Sequence, residues 1–382
     1  MKIALCTVPM EDPDVSTPSP RLESGKNPPV AICALADWMK KCGYGPNPVD
    51  FYDIDNLVPT DEEISSYFID NPADIIGISA VLSSSYKQVR RVSRLIKEAL
   101  PDAIIVQGGH LTASAEVLLR KTTVDICIAG DGENSWISFL DHFKNGGKLT
   151  DTKELGRIRG LCFIDENDNF KFNGFGVGIP GQDMYMPDYE LLRSGLKHRP
   201  ELLDNYFAVG LKGRFMEIDP RCKEPGRKPR TAKLFTSKGC VAKCTFCQRY
   251  TKGYRRIPVD IIKPHLLELI EKYDVGFIIV ADENFGSDKE QAYEFAKLMT
   301  EVGLLWVSES TRVSNYTRED IKYYKEHNCI SLAFGVESGS QRMLDLMEKK
   351  ITPDQVFEVF RHCIEYELML SGAHMIFGMP GE

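Results

Sequence analysis

The stretch "SKGCVAKCTFCQRY", residues 237–250, places Cys240, Cys244 and Cys247 within one short segment, with Gly239 before them and the aromatic Phe246 between the last two. It follows an apolar run, "AKLFTS" (232–237), that reads as a strand, and precedes a helix-period segment over 258–273. Three soft ligands on one loop after a strand point to a metal site. Further strands are expected at "GFIIVAD" (276–282), "LLWVSES" (304–310), "SLAFGVE" (331–337) and "LSGAHMIFG" (370–378), with helices at 288–302, 317–327, 340–349 and 354–367. Five successive parallel βα steps suggest a barrel-like (β/α) domain over 231–382, whose site sits at the carboxyl ends of its strands.

A structural zinc takes four ligands, and no evident fourth lies nearby: Cys222 is upstream across a linker and Cys329 is distant in sequence. A [4Fe–4S] cluster also wants four, so three thiolates would leave one iron open to an exogenous ligand. An open iron implies chemistry.

Residues 1–146 show a second α/β pattern. Strands are expected at 2–8, 48–54, 73–80, 103–109 and 124–130, and helices at 29–42, 85–99, 111–121 and 133–144. This reads as a doubly wound, Rossmann-like domain, which binds ligands beyond the carboxyl ends of its strands. Small and polar residues collect there: Ser79 and Ser83, then Gly108 and Gly109, then Gly130, Gly132 and Glu133. A glycine pair at one strand end is the ordinary makings of a tight turn, but three such ends in one domain favour a ligand site. Residues 147–230, rich in Gly, Pro, Asp and Asn, read as a connector with a hairpin at 158–173. The basic run "RCKEPGRKPRTAK" (221–233) reads as a solvated linker more readily than a phosphate site.

The chain has 382 residues, 43% of them hydrophobic and 27% charged, enough for two or three domains with real cores. Its net charge of −8 argues against broad DNA or RNA binding. No apolar run is long enough for a membrane span, and "MKIALCTVPMEDPDV" meets charge and proline too early for a signal peptide. A cytoplasmic location follows, in which most of the eleven cysteines are free thiols.

The Cys-x3-Cys-x2-Cys spacing, with an aromatic before the third cysteine, resembles the radical S-adenosylmethionine (SAM) enzymes. That resemblance implies a [4Fe–4S] cluster on Cys240, Cys244 and Cys247, SAM chelating the open iron, and cleavage of SAM to methionine and a 5′-deoxyadenosyl radical. It also implies SAM contacts from Phe246, from Asp282 and Glu283 in "VADENF" (280–285), from Arg312, from Glu337 and Ser338 in "FGVESGSQRMLDLMEKK" (334–350), and from Gly378 in "MIFGMPGE" (375–382). An electron donor such as flavodoxin or ferredoxin and an organic substrate would be its partners. Two departures stand out: Val241 occupies a position where many relatives have proline, and the chain stops at Glu382, just after the fifth strand of a barrel that usually has six. A barrel truncated there is therefore expected.

The first domain resembles the cobalamin-binding domain fused ahead of many radical SAM enzymes, through "ADIIGISAVLSSSY" (73–86), "IIVQGGHLTAS" (104–114) and "VDICIAGDGENSW" (124–136). This resemblance assigns Ser79, Ser83, Gly108, Gly109, Gly130, Gly132 and Glu133 to cobalamin. The Asp-x-His-x-x-Gly signature of a lower cobalt ligand is missing, so His110 is expected at a rim. The implied reaction is cobalamin-dependent methylation of an unactivated carbon. The rivals are a cobalamin-independent radical SAM enzyme (a cyclase, a rearrangement catalyst or a methylthiotransferase) and a noncatalytic metal-binding module. A methylthiotransferase would need three more cluster cysteines in the first domain, whereas Cys6, Cys33, Cys42 and Cys127 read as small core residues.

Overall fold

The computed structural model describes residues 1–10, 26–209, 219–248, 251 and 253–382. It divides into two compact units, the first carrying residues 27–179 and 187–205 with the N-terminal strand, the second carrying 180–186 and the chain from 206 on.

In the first unit the chain runs through β1 (Ile3–Thr7), α1 (Val30–Lys41), β2 (Asp50–Tyr52), α2 (Asp61–Asp70), β3 (Ile75–Ser79), α3 (Tyr86–Ala99), β4 (Ile104–Gly108), α4 (Ala115–Lys121), β5 (Ile126–Ile128) and α5 (Glu133–Lys144), then a hairpin of β6 (Leu161–Ile164) and β7 (Phe170–Phe172). The sheet order is β2-β1-β3-β4-β5-β6-β7, parallel through β5. The order reverses at β1, which makes the adjoining crevice the place where such sheets take ligands. Strand β1 is buried along its whole length, as a strand covered on both faces must be.

Two features depart from the sequence expectation. Helix α2 was not anticipated, although Thr60 and Glu63 form a reciprocal capping box at its start, a pattern visible in "TDEE". The expected hairpin forms, but it extends the first sheet: β6 pairs antiparallel with β5, Cys127 opposite Cys162, and Leu161, Cys162 and Phe163 are buried. The first sheet thus continues beyond residue 146.

The second unit runs β8 (Ala208–Val209), β9 (Arg230–Leu234), β10 (Ser237–Gly239), β11 (Tyr254–Arg256), α6 (Val259–Tyr273), β12 (Val275–Val280), α7 (Lys289–Glu301), β13 (Leu305–Thr311), α8 (Arg318–Glu326), β14 (Cys329–Glu337), α9 (Gln341–Leu346), α10 (Pro353–Glu365) and β15 (Met369–Met375). Its main sheet has the order β15-β14-β13-β12-β9-β8, with five parallel strands in sequence order and β8 antiparallel at the edge. Strand alternation splits the core between two faces. Trp306 packs edge-on against Phe285, Phe295 and Tyr324 on one, and Phe277, Ile279, Leu305, Val307 and Ile330 gather around Cys222 on the other. The basic run is docked here, with Arg221 ion-paired to Asp219 at 2.6 Å and donating to the Cys329 carbonyl at 2.8 Å.

Candidate cluster and cofactor site

Because β9, β12, β13, β14 and β15 are parallel, their carboxyl ends share one edge; Asp282, Glu283, Arg312, Glu337, Ser338 and Gly378 fall on or just after those ends, and the cysteine segment with Phe246 lies on the connection that follows β9. The expected strand over 232–237 stops at Leu234, and the chain turns into the short β10–β11 hairpin that brackets the cysteine segment. Gly239 is required in this hairpin: its φ is +88° and a Cβ would lie 2.0 Å from the Gly253 carbonyl oxygen.

Asp282 explains the break. Its buried carboxylate accepts the Thr236 and Ser237 amides at 2.7 and 3.2 Å and both hydroxyls at 2.6 Å. Burial pushes its carboxyl up while these four donors oppose the rise. Its acceptor capacity is thus spent on fixing the approach to Cys240. Glu283, exposed beside it, accepts the Gly239 amide at 3.2 Å. Asn284, which the sequence did not single out although it sits in the same "VADENF", is buried and donates from Nδ2 to Ser287 Oγ at 2.8 Å and to Cys240 Sγ at 3.6 Å.

Lys349 was also missed, since nothing in "MEKK" distinguishes it from a surface lysine. It is buried, and its Nζ meets Glu337 Oε1 at 2.6 Å and lies 5.9 Å from the Phe246 ring centroid. Gly335 leaves room for this pair, because a Cβ there would come within 2.6 Å of Glu337 Oε1 and 2.9 Å of Lys349 Nζ. Glu337 has φ +68°, a left-handed conformation that costs a non-glycine residue roughly 1–3 kcal/mol and persists where the surroundings fix it. The fixing contacts are the Lys349 ion pair and the Ile376 amide, which donates to the Glu337 carbonyl at 2.9 Å. Ser338 Oγ accepts the Ser340 amide at 3.2 Å. Gly378, with φ +80°, lies beyond β15 and donates to Glu382 Oε2 at 2.5 Å.

The same segment clasps the cysteine loop: Thr245 donates from its amide to the Met347 carbonyl at 2.9 Å and from Oγ1 to the Leu346 carbonyl at 3.0 Å. Cys244 is buried, Cys240 half-buried and Cys247 exposed. Cys240 Sγ accepts the Ala242 amide at 3.4 Å, and Cys244 Sγ accepts Arg312 Nη1 at 3.3 Å. Among the described residues no group of three or more His, Cys, Asp or Glu side chains is already gathered as a metal site. The donor set nevertheless suits an iron–sulfur cluster in kind: three free thiols on one loop, two of them meeting N–H donors that stabilise a coordinated thiolate. Cys222 and Cys329 are buried in the core, where desolvation raises both thiols, and neither supplies a fourth ligand.

In the first unit, the residues assigned to cobalamin also share one edge, at the carboxyl ends of β3, β4 and β5. Two of the glycines have a packing cause. Gly109 has φ +86° and a Cβ there would lie 2.3 Å from the Ala80 carbonyl oxygen, while Gly130, at φ +88°, bridges Gly176 and would place a Cβ 2.8 Å from its amide nitrogen. Gly132 differs, since a Cβ there meets nothing closer than 3.8 Å. Ser79 is half-buried, Ser83 exposed and Glu133 buried. His110 is exposed. Two more residues stand at this edge, Ser85 among the small residues expected after β3 and Gln107, which was not anticipated: Gln107 Oε1 and Ser85 Oγ are buried without a hydrogen-bond partner among the described residues. Cys6, Cys33 and Cys127 are buried, and desolvation raises all three thiols, Cys6 and Cys33 to about 12, so they behave as small apolar groups. Cys42 departs from the core reading: it caps the end of α1 and is exposed.

Comparison with known proteins bears on both edges. Residues 234–382 match the model of the Radical SAM superfamily, and residues 24–137 match that of the B12 binding domain. The chain is 26% identical to the "Uncharacterized methyltransferase PH0819" of Pyrococcus horikoshii, over 100% of this chain and 75% of that protein. It is 24% identical to the "Anaerobic magnesium-protoporphyrin IX monomethyl ester cyclase" of Rubrivivax gelatinosus, over 87% of this chain and 56% of the cyclase. The structure of the "Cobalamin-dependent S-adenosylmethionine radical enzyme OxsB with aqua-cobalamin and S-adenosylmethionine bound" superposes with a TM-score of 0.72 at 16% identity, covering 97% of this chain and 48% of that one. The fold is therefore shared by the two, and the chain spans between about half and three quarters of the length of these proteins. Among the described residues no helix is long and apolar enough to cross a membrane.

Proposed function

We propose, for a chain that belongs to the radical SAM enzymes carrying a B12-binding domain, that it cleaves SAM reductively and uses the resulting radical for cobalamin-dependent methylation of an unactivated carbon. When bound, the cluster supplies the electron that converts SAM to methionine and a 5′-deoxyadenosyl radical, and cobalamin supplies the transferable methyl group. The single observation that carries this is the three-cysteine loop, fixed by Asp282 on one side and by the 346–350 segment on the other, in one chain with a B12-binding domain.

On this reading Cys240, Cys244 and Cys247 hold the cluster. Glu337 and Ser338, with Phe246, Glu283 and Gly378, line the SAM side, and Asp282 contributes by fixing the loop. In the first unit the unpartnered oxygens of Gln107 and Ser85 suit the amide side chains of a corrin, beside Ser79, Ser83, Gly108, Gly132 and Glu133. Gly109 and Gly130 shape that edge. The five parallel strands are read as a partial barrel, the protein as cytoplasmic, and its electron donor as a flavodoxin or ferredoxin. The relative described as a cyclase supports ring formation as the second outcome of the same radical.

The test is anaerobic. The reconstituted chain is incubated with hydroxocobalamin, freed of excess by gel filtration, then given SAM and dithionite. Retained cobalamin near one per chain together with 5′-deoxyadenosine formation is expected. Cleavage of SAM without retained cobalamin would exclude the methyl-transfer reading and leave a cobalamin-independent radical enzyme.

A further inference from the structure

We propose that Arg312 is a positioning residue of the cluster, holding Cys244 through a charged N–H···S hydrogen bond and raising the cluster's reduction potential, instead of contacting the SAM carboxylate. The inference rests on the reading of the cysteine loop as a [4Fe–4S] site.

Arg312 follows directly on β13, whose last residue is tied to β14 by Thr311 Oγ1 donating to the Ala333 carbonyl at 2.6 Å. From this anchored base three guanidinium nitrogens are engaged: Nη1 donates to Cys244 Sγ at 3.3 Å, Nη2 to the Lys349 carbonyl, and Nε to Ser314 Oγ at 3.4 Å. None of these partners is a carboxylate, so the charge is not offset by an ion pair among them. The neighbouring cation differs in this respect, because Lys349 is paired with Glu337. At Cys240 the donors are neutral, the Ala242 amide and the Asn284 side-chain amide. Arg312 thus delivers a permanent positive charge to one cluster ligand while tying that ligand to the segment that clasps the loop.

The electrostatic consequence has a fixed sign. Reduction adds one negative charge to the cluster, and hydrogen bonds and local charge at the sulfurs set its potential. A guanidinium at Cys244 Sγ favours the reduced form, so its removal makes the midpoint more negative. A SAM-carboxylate ligand would behave differently, since its loss would weaken SAM binding and leave the midpoint measured without SAM where it was.

The experiment compares wild type, Arg312→Met and Arg312→Lys as full chains, each reconstituted anaerobically. Iron and sulfide are assayed, the midpoint is measured by EPR-monitored titration in the absence of SAM, and SAM affinity is measured separately. The expected result is a wild-type iron content and a more negative midpoint in Arg312→Met, SAM affinity within about twofold of wild type, and a midpoint largely restored in Arg312→Lys. An unchanged midpoint with SAM affinity reduced about tenfold or more would overturn the proposal and assign Arg312 to SAM. If Arg312→Met holds no iron, the neutral but hydrogen-bonding Arg312→Gln takes its place: a more negative midpoint supports the proposal and an unchanged one rejects it. Failure of the wild type to assemble a cluster would instead strike the underlying reading of the cysteine loop.

Discussion

The carboxyl edges of the two sheets were both expected from the sequence to take ligands, yet they are built differently. At the second, charged and polar side chains converge on a loop whose thiols accept hydrogen bonds, and Lys349 and Glu337 form a buried ion pair beside it. At the first, two of the candidate glycines are explained by packing, Gly109 against Ala80 and Gly130 against Gly176. A thiolate or a buried charge costs too much to be left without a partner, so its position reports chemistry. A glycine costs little anywhere, so its position reports only that a side chain would not fit.

The sharpest way to break this comparison is to remove the ligands of one edge and read the other. Cys240→Ala, Cys244→Ala or Cys247→Ala is expected to abolish cluster iron and SAM cleavage while cobalamin retention by the first unit persists. Full turnover in any of the three would end the radical SAM assignment. The buried pair comes next. Lys349→Met leaves the Glu337 carboxylate buried without its cation and is expected to cost about 3–5 kcal/mol, read from chemical denaturation. The double substitution Lys349→Met with Glu337→Gln should recover most of that loss, because two neutral groups replace a broken ion pair. If the double variant is as unstable as the single one, the pair does not account for the cost.

How far these regions were legible in the sequence follows from how local their causes are. The parallel strands of the second unit announce themselves as apolar runs because both faces are covered, and the starts of α7, α8 and α10 are marked by the capping residues Asp288, Thr317 and Thr352. The cysteine spacing is likewise contained within one loop. The hairpin around that loop was not legible, since it depends on Asp282 reaching Thr236 and Ser237 across more than forty residues of chain. Lys349 was hidden for a related reason: its burial depends on Glu337 in a left-handed conformation and on space left by Gly335, and neither requirement is written in the residues flanking the lysine.

The smallest expected effects separate packing from binding at the first edge. Gly109→Ala forces a Cβ to 2.3 Å from a backbone oxygen at a positive φ, so it should cost at least about 1–3 kcal/mol and lower cobalamin retention only together with stability. Gly132→Ala meets nothing closer than 3.8 Å and has no positive φ, so its stability should stay within about 0.5 kcal/mol of wild type. Cobalamin retention in Gly132→Ala then isolates the ligand: a loss of retention at unchanged stability marks Gly132 as a place where backbone meets cobalamin. Full retention would move the contact to the unpartnered oxygens of Ser85 and Gln107, where Ser85→Ala and Gln107→Leu are the next substitutions to compare. Retention lost in those two but kept in Gly132→Ala would make the first edge resemble the second, with polar side chains and not glycines carrying the chemistry.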